Sequence, residues 1–285
     1  MSPLVSVVVP TRDAARTITT CLESVRSQTH RPIELIVVDN WSADGTFELA
    51  GGVADRVLRR GPERSRQRNL GMAEARGEWV LWLDADMELA PDSVERALEA
   101  GLAAGAVGVF LPESTVGSGF WTRCRALERR CYHGESRIEA PRLLRADWLR
   151  ASGGFADLTG IEDADLRNRL LAAGETLAWA DTMVLHHEGR LGLWGLAGKR
   201  FYYGRSLPAY RRSNPGAVSG QIGATLGALW RHRRLLAADP THAAGLLAMR
   251  AWEAAAYLAG ALAGAPTPGR SEPARSEPGR PPTDR

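Results

Sequence analysis

Two aspartates separated by one residue, Asp84-Ala85-Asp86, follow directly on the apolar run from Trp79 to Leu83. Carboxylates at that spacing, at the end of a buried strand, suit a hard divalent cation that takes oxygen ligands. Mg²⁺ keeps few protein ligands and fills its shell with phosphate oxygens and water, and Mn²⁺ accepts the same set. Other polar residues stand at comparable points. Thr11, Arg12 and Asp13 follow the run Leu4 to Val9 and its closing Pro10, and Asp39-Asn40 closes Ile33 to Val38. The acidic pair Glu162-Asp163 opens a helical stretch. Any one of these residues reads plainly as a cap, a turn former or a first-turn acid favoured by the helix dipole. Three polar strand ends together point to a ligand site.

The loop after the first strand excludes two nucleotide-binding classes. It reads Pro10-Thr11-Arg12-Asp13-Ala14-Ala15, where a dinucleotide site needs GxGxxG, and GxxxxGK[ST] occurs nowhere. NAD-dependent enzymes and P-loop NTPases are thereby set aside.

Positioning these residues takes a sheet. Leu4 to Val9, Ile33 to Val38, a shorter run at Arg56 to Leu58, Trp79 to Leu83 and Val107 to Leu111 have strand lengths and compositions. Between them, Ile18, Cys21, Leu22 and Val25 form an i, i+3, i+4, i+7 helical stripe. Further helices are expected at about 62–75 and after Pro91. Apolar strands alternating with helices predict a mostly parallel sheet wound by right-handed crossovers. In such a sheet ligands bind beyond the carboxyl ends of the strands, where the aspartates lie. After residue 112 the alternation loosens into a glycine-rich, charge-dense stretch. Gly153-Gly154-Phe155 then predicts a turn, 161–173 a helix, and Thr176 to Ala180 and Met183 to His187 short strands.

At 285 residues, 44% hydrophobic and 24% charged, the chain can bury a sizeable core. A net charge of +3 is too small for this length to argue for nucleic acid, and one of the 36 basic residues is lysine, Lys199. Cys21, Cys124 and Cys131 have no metal-type or disulfide spacing. No signal-peptide pattern and no run of 18 uncharged apolar residues is present, so a reducing cytoplasm is expected, with contact to the inner membrane face left open. Eight basic residues and no acid fall between Lys199 and Arg234, beside the apolar helical stretches Ala217 to Trp230 and Ala243 to Ala263. That pattern suits either an anionic membrane surface or a helical subdomain with a solvated basic face. The division expected is 1–212 for the α/β domain, 213–264 for a C-terminal helical extension and 265–285 for a disordered Pro/Ser/Glu/Arg tail.

The stretches VSVVVPTRDAARTITTCLESVRSQT, IELIVVDNWSADGT, RQRNLGMAEARGEWVLWLDADMEL and GGFADLTGIEDADLRNRLLAAG, spread over residues 4 to about 190, resemble the family 2 glycosyltransferases of the GT-A fold. The resemblance implies a Rossmann-like α/β fold and transfer of a sugar from a nucleotide diphosphate sugar, with UDP preferred. Carried over position by position, Pro10, Thr11 and Asp13 border the nucleotide, although the family often has Asn in place of Asp13. Asp39 bonds the base, Arg68 faces the same nucleotide, and Asp84 with Ala85 reaches the ribose or the water shell of the metal. Asp86 of the DxD motif holds Mn²⁺ or Mg²⁺ on the diphosphate, and a histidine of His186-His187, by preference His187, adds a ligand.

Displacement at the anomeric carbon needs a carboxylate for the acceptor proton and a cation for the leaving diphosphate. Asp163 is the expected base, with Glu162 positioning hydroxyls, and one base with one displacement predicts inversion. Trp121 is expected either to stack on an acceptor sugar or to pack in the core. The acceptor is a hydroxyl of a glycan, a lipid-linked sugar or a natural product. Two other classes remain: a nucleotidyltransferase, which lacks its Gly-rich loop here, and a degenerate sugar-nucleotide-binding scaffold, which would be expected to have lost one of Asp39, Asp86 or Asp163.

Overall fold

The computed structural model describes residues 2–264. The expectation for 265–285 lies outside the described residues. Chain order runs β1 (Val5–Thr11), α1 (Ile18–Arg26), β2 (Ile33–Asp39), α2 (Thr46–Gly51), β3 (Arg56–Arg59), α3 (Arg64–Glu74), β4 (Trp79–Trp82) and β5 (Met87–Leu89). It continues through α4 (Ser93–Ala104), β6 (Gly108–Phe110), β7 (Glu113–Gly117), α5 (Phe120–Tyr132), β8 (Leu143–Arg145), α6 (Ala146–Ala151), α7 (Glu162–Ala172), β9 (Leu177–Trp179) and β10 (Val184–Gly189). Five helices close it: α8 (Leu193–Gly204), α9 (Leu207–Ser213), α10 (Ala217–Arg231), α11 (Arg233–Ala238) and α12 (Pro240–Ala263).

Seven strands form one sheet in the order β3-β2-β1-β4-β8-β6-β9. The β-branched run of β1 is buried along its whole length, and its alternation feeds two cores. Val5, Val7 and Val9 pack on one face with Ile18 and Leu22 of α1, while Val8 packs on the other with Met72 of α3 and Trp82. β1 pairs in parallel with β2 and β4, so the carboxyl ends of these three neighbours lie at one edge. β8 runs antiparallel to both β4 and β6, which makes the sheet mostly rather than wholly parallel.

A second sheet, β5-β10-β7, was not foreseen in the sequence. It places β10 antiparallel to β5 and parallel to β7, folding the end of the α/β unit back over the Asp84–Asp86 turn. The 114–150 stretch, read as loosened structure, contains β7 and the 13-residue helix α5. The helix escapes notice because charged Arg125 and Glu128 occupy its buried face, where they pair with each other.

Of the C-terminal helices, α10, α11 and α12 pack on α5. α8, which precedes residue 212, packs along α12 at backbone distance: a Cβ on Gly204 would meet the Tyr257 carbonyl oxygen at 2.0 Å, and one on Gly260 the Phe201 carbonyl oxygen at 2.0 Å.

Candidate active site

The three strand ends expected to converge do so. Thr11 and Asp39 are register partners across β1 and β2, and Asp84 follows β4 on the other side of β1. Gln67, on the inner face of α3, ties the first two together by donating to the Thr11 carbonyl at 2.9 Å and the Val38 carbonyl at 2.6 Å.

Asp39 is fully buried and accepts from the Ser42 backbone N–H at 3.0 Å and from the Ser42 hydroxyl. Asp13 meets the same loop, accepting from the Ala43 N–H at 2.9 Å while its own N–H donates to Ser42 Oγ at 2.8 Å. Pro10 and Ala85 are buried. Trp41, which no sequence pattern singles out, is 65% exposed at a φ of 53°, a backbone conformation costly for a bulky residue. The Arg59 guanidinium lies 5.1 Å from its ring and 4.0 Å from that of Phe47.

α3 is the hub. Residues four apart on a helix share a face, so Arg64 and Arg68 point together at the acids. Arg68 donates to Asp84 Oδ1 at 2.9 Å, Glu162 Oε1 at 3.2 Å and Asp163 Oδ1 at 2.6 Å. Arg64 adds Glu162 Oε1 at 3.1 Å and Asp84 Oδ1 at 3.5 Å. The Arg68 side chain has no exposed surface and lies over the rings of Trp82 at 4.2 Å and Phe155 at 5.2 Å. Arg68, expected to face a nucleotide, is here held by three carboxylates and two rings, and it joins the strand-end aspartate to the acidic pair of α7.

The loop before α7 is riveted to α3 at several points. Asn69 locks the Gly153-Gly154-Phe155 turn, donating to the Phe155 carbonyl at 2.8 Å and accepting from its N–H at 2.9 Å. Arg66 pairs with Asp157 at 2.7 Å, and Thr159 donates to Glu63 at 2.9 Å. Gly160, at φ +72°, lies where a Cβ would meet the Tyr203 ring at 2.1 Å.

Electrostatics divides the carboxylates. Burial alone would raise the Asp84 carboxyl, but the Arg68 and Arg64 cations hold it well below the usual range. Glu162 is pushed up by burial and by the neighbouring Asp163, against the pull of the two arginines. Its Oε2 has no partner, and the Asp163 side chain keeps 34% of its surface open. The buried side-chain polar atoms left unpartnered among the described residues are Thr11 Oγ1, Arg68 Nε, Arg142 NH1 and Glu162 Oε2. Arg142 belongs to the same cluster: it stacks on Trp82 at 4.3 Å and pairs with Glu113. Orphaned polar groups are costly in a packed interior and concentrate at functional sites.

Of the two histidines, His186 and not His187 lies beside Asp86. Strand neighbours point to opposite faces, so His186 Nε2 lies 3.2 Å from Asp86 Oδ2 and its Nδ1 3.4 Å from Glu113 Oε2, while His187 Nε2 turns away to Glu88 Oε2 at 2.7 Å. Burial disfavours a charged His186, yet the bonds to Asp86 and Glu113 raise it to about 9. No cluster of three metal-ligating side chains exists among the described residues. A half-open Asp86 carboxylate with an imidazole beside it still fits an ion that takes one or two protein ligands and completes its shell from phosphate and water.

Trp121 does not line an open groove. The phase of α5 turns it into the cluster of Cys124, Leu196, Leu246 and Met249, with its ring edge-on to Phe120 at 4.8 Å. Arg64, Gln67, Glu113 and Trp41 are the site residues that sequence reasoning missed, and of the two histidines it preferred the one that turns away from Asp86. The i, i+4 spacing of Arg64 and Arg68 in RSRQRN was a readable signal for the first. The others depend on the second sheet and on loop geometry.

A family model described as glycosyl transferase family 2 matches residues 6–156. Among curated proteins, the succinoglycan biosynthesis protein ExoO of Rhizobium meliloti is 38% identical over 111 residues, which are 36% of this chain and 31% of that protein. The matched stretches span 30% to 41% of the length of such relatives. Among solved structures, the mannosyltransferase PcManGT from Pyrobaculum calidifontis, in complex with GDP-Man and Mn²⁺, superposes with a TM-score of 0.62 at 21% identity. That match covers 92% of this chain and 87% of that one. S. aureus TarS 1-349 in complex with UDP gives 0.52 at 17% identity, covering 91% and 90%. At these identities the likeness is one of fold.

Proposed function

The chain belongs to glycosyl transferase family 2, and from that premise we propose that it is an inverting enzyme that transfers a sugar from a nucleotide diphosphate sugar to an acceptor hydroxyl, with Asp163 as the general base. The observation that carries this reading is the Arg68 bridge. One buried cation ties Asp84, at the donor end of the sheet, to Asp163 Oδ1, while the rest of the Asp163 carboxylate stays open.

In this reading Pro10, Thr11, Asp13 and Asp39 wall the nucleotide, with Trp41 beside them, and Ala85 lets the diphosphate approach the backbone. Asp86, with His186 beside it, is the place for Mn²⁺ or Mg²⁺, which when bound supplies charge stabilisation to the departing diphosphate. Asp163 takes the proton of the acceptor hydroxyl. The acceptor oxygen forms its bond to the anomeric carbon as the bond to the diphosphate oxygen breaks, and the electron pair leaves with the nucleotide. Attack opposite the leaving group inverts the centre. Glu162, raised by its burial and then by the neighbouring Asp163, holds Arg68 and Arg64 in place.

UDP is the donor base favoured from the sequence, and the GDP-mannose complex of the matched mannosyltransferase places guanine in the same trial. The test is turnover and thermal shift with UDP-, GDP- and dTDP-sugars, each with Mn²⁺, Mg²⁺ or EDTA, followed by the anomeric configuration of the product. A metal-dependent shift with one donor and an inverted product are expected, because a ligand of the native state raises its melting temperature. Retention at the anomeric carbon, or indifference to every donor, would refute the reading.

A further inference from the structure

The helical layer contains an element whose polarity is reversed. α12 runs for 24 residues, about 36 Å, and a helix on a soluble surface turns its charges outward. Here its charged side chains, Arg250 and Glu253, turn inward. Glu253 is 2% exposed, paired with Arg125, with Arg200 at 3.2 Å and with Arg250 at 3.1 Å, while Arg250 also reaches Glu128 of α5 at 3.1 Å. The outward stripe is Ala244, Leu247, Ala251, Ala255, Leu258 and Leu262, spaced by three and four residues over five turns. Leu247, Leu258 and Leu262 are 61%, 58% and 90% exposed. Every exposed residue from 244 to 263 is apolar or the tryptophan Trp252.

The apolar surface continues onto α8. Trp194, 80% exposed, meets Trp252 edge-on at 5.2 Å, and Phe201 and Tyr202 are open further along the same helix. α10 presents a second stripe, Ile222, Leu226 and Trp230, one helical turn apart. A contiguous exposed apolar face of this kind marks a surface made for contact.

We propose that α8 and α12 form a docking face for an anionic lipid bilayer, on which the protein lies without spanning it. Charge selects this occupant over a protein partner. The chain has no acidic residue from Lys199 to Ala238, and Lys199, Arg211, Arg212, Arg233 and Arg234 form no ion pair among the described residues. Each cation near an anionic surface contributes to binding, and exposed Trp and Tyr are side chains that settle at a headgroup boundary. No helix among the described residues is long and apolar enough to cross a membrane, which leaves the in-plane arrangement. The buried pairing of Arg125, Glu128, Arg200, Arg250 and Glu253 keeps the two helices and α5 together with the apolar side outward.

The experiment is flotation of the full chain with vesicles of phosphatidylcholine alone and of phosphatidylcholine with one-third phosphatidylglycerol, at low and high salt. Binding is expected to the anionic vesicles, weakened by salt, and about fivefold weaker for each of Arg211→Gln and Arg212→Gln. Leu258→Glu with Leu262→Glu should abolish it while leaving the melting temperature and donor-induced thermal shift unchanged, because both positions are open to solvent. Flotation with neither vesicle, equal flotation with both, or flotation that survives the two glutamates overturns the proposal. So does a concentration-dependent dimer removed by the same glutamates without vesicle binding, which would make a second copy the occupant.

Discussion

Replacing Arg68 by Met tests whether this residue is the keystone of the acidic cluster or a direct nucleotide contact. Methionine keeps much of the stem that packs between Trp82 and Phe155 but removes the charge and its donors. Asp84, Glu162 and Asp163 lose bonds of 2.9, 3.2 and 2.6 Å, and the Glu162 carboxylate is left fully buried. Deleting one partner of a buried ion pair costs about 3–5 kcal/mol. Arg64 remains 3.1 Å from Glu162 and 3.5 Å from Asp84, which places the loss near the lower end. At about 2–4 °C per kcal/mol for a domain near this size, the melting temperature should fall by roughly 6–12 °C at pH 8.

The pH dependence identifies the cause of that loss. Glu162 is already raised by burial and by the neighbouring Asp163, and removing the Arg68 cation takes away one of the two groups that hold it down. A raised acid destabilises the native state at high pH and ceases to do so as it protonates, so the deficit against the parent should shrink as the pH is lowered. Thermal unfolding followed by circular dichroism over that series reads both quantities. A deficit independent of pH would assign the loss to packing. An unchanged melting temperature with loss only of donor-induced stabilisation would restore Arg68 as a nucleotide ligand and refute the bridge.

Asp163→Asn should keep donor-induced stabilisation and lower turnover by about 10²–10⁴-fold, the range of a lost general base, and near-normal turnover would remove it from that role. His186→Asn should weaken the dependence of donor binding on Mn²⁺ concentration, whereas His187→Asn should leave it alone; thermal-shift titration decides, and the reverse order would return the ligand role to His187. Gly160→Ala should cost about 1–3 kcal/mol, since the backbone is left-handed there and the Tyr203 ring fills the place of a Cβ. Chemical denaturation measures it, and no loss would mean that the loop before α7 adapts freely.

The amino-acid sequence by itself determined the mostly parallel α/β sheet and the edge at which its ligand site lies. β1, β2 and β4 are short apolar runs buried on both faces, each ended by a polar residue, and the parallel winding rule then brings Thr11, Asp39 and Asp84 together. The acidic pair opening α7 was legible too, as was the basic stretch after Lys199. Tertiary structure decided the partners. Which histidine meets Asp86 depends on the register of β10 against β5, because a shift of one residue in a strand exchanges its faces, and nothing local to His186-His187 sets that register.

Arg68 likewise owes its role to contacts made across 16, 94 and 95 residues of chain, over which helical periodicity carries no information. α5 and α12 show the same physics from the other side. Each buries charged residues that local patterning assigns to water, and those charges are tolerated because Arg125 and Glu128 on one helix meet Arg250 and Glu253 on the other. A sequence gives the cost of burying a charge locally, but the compensating charge arrives only with the fold.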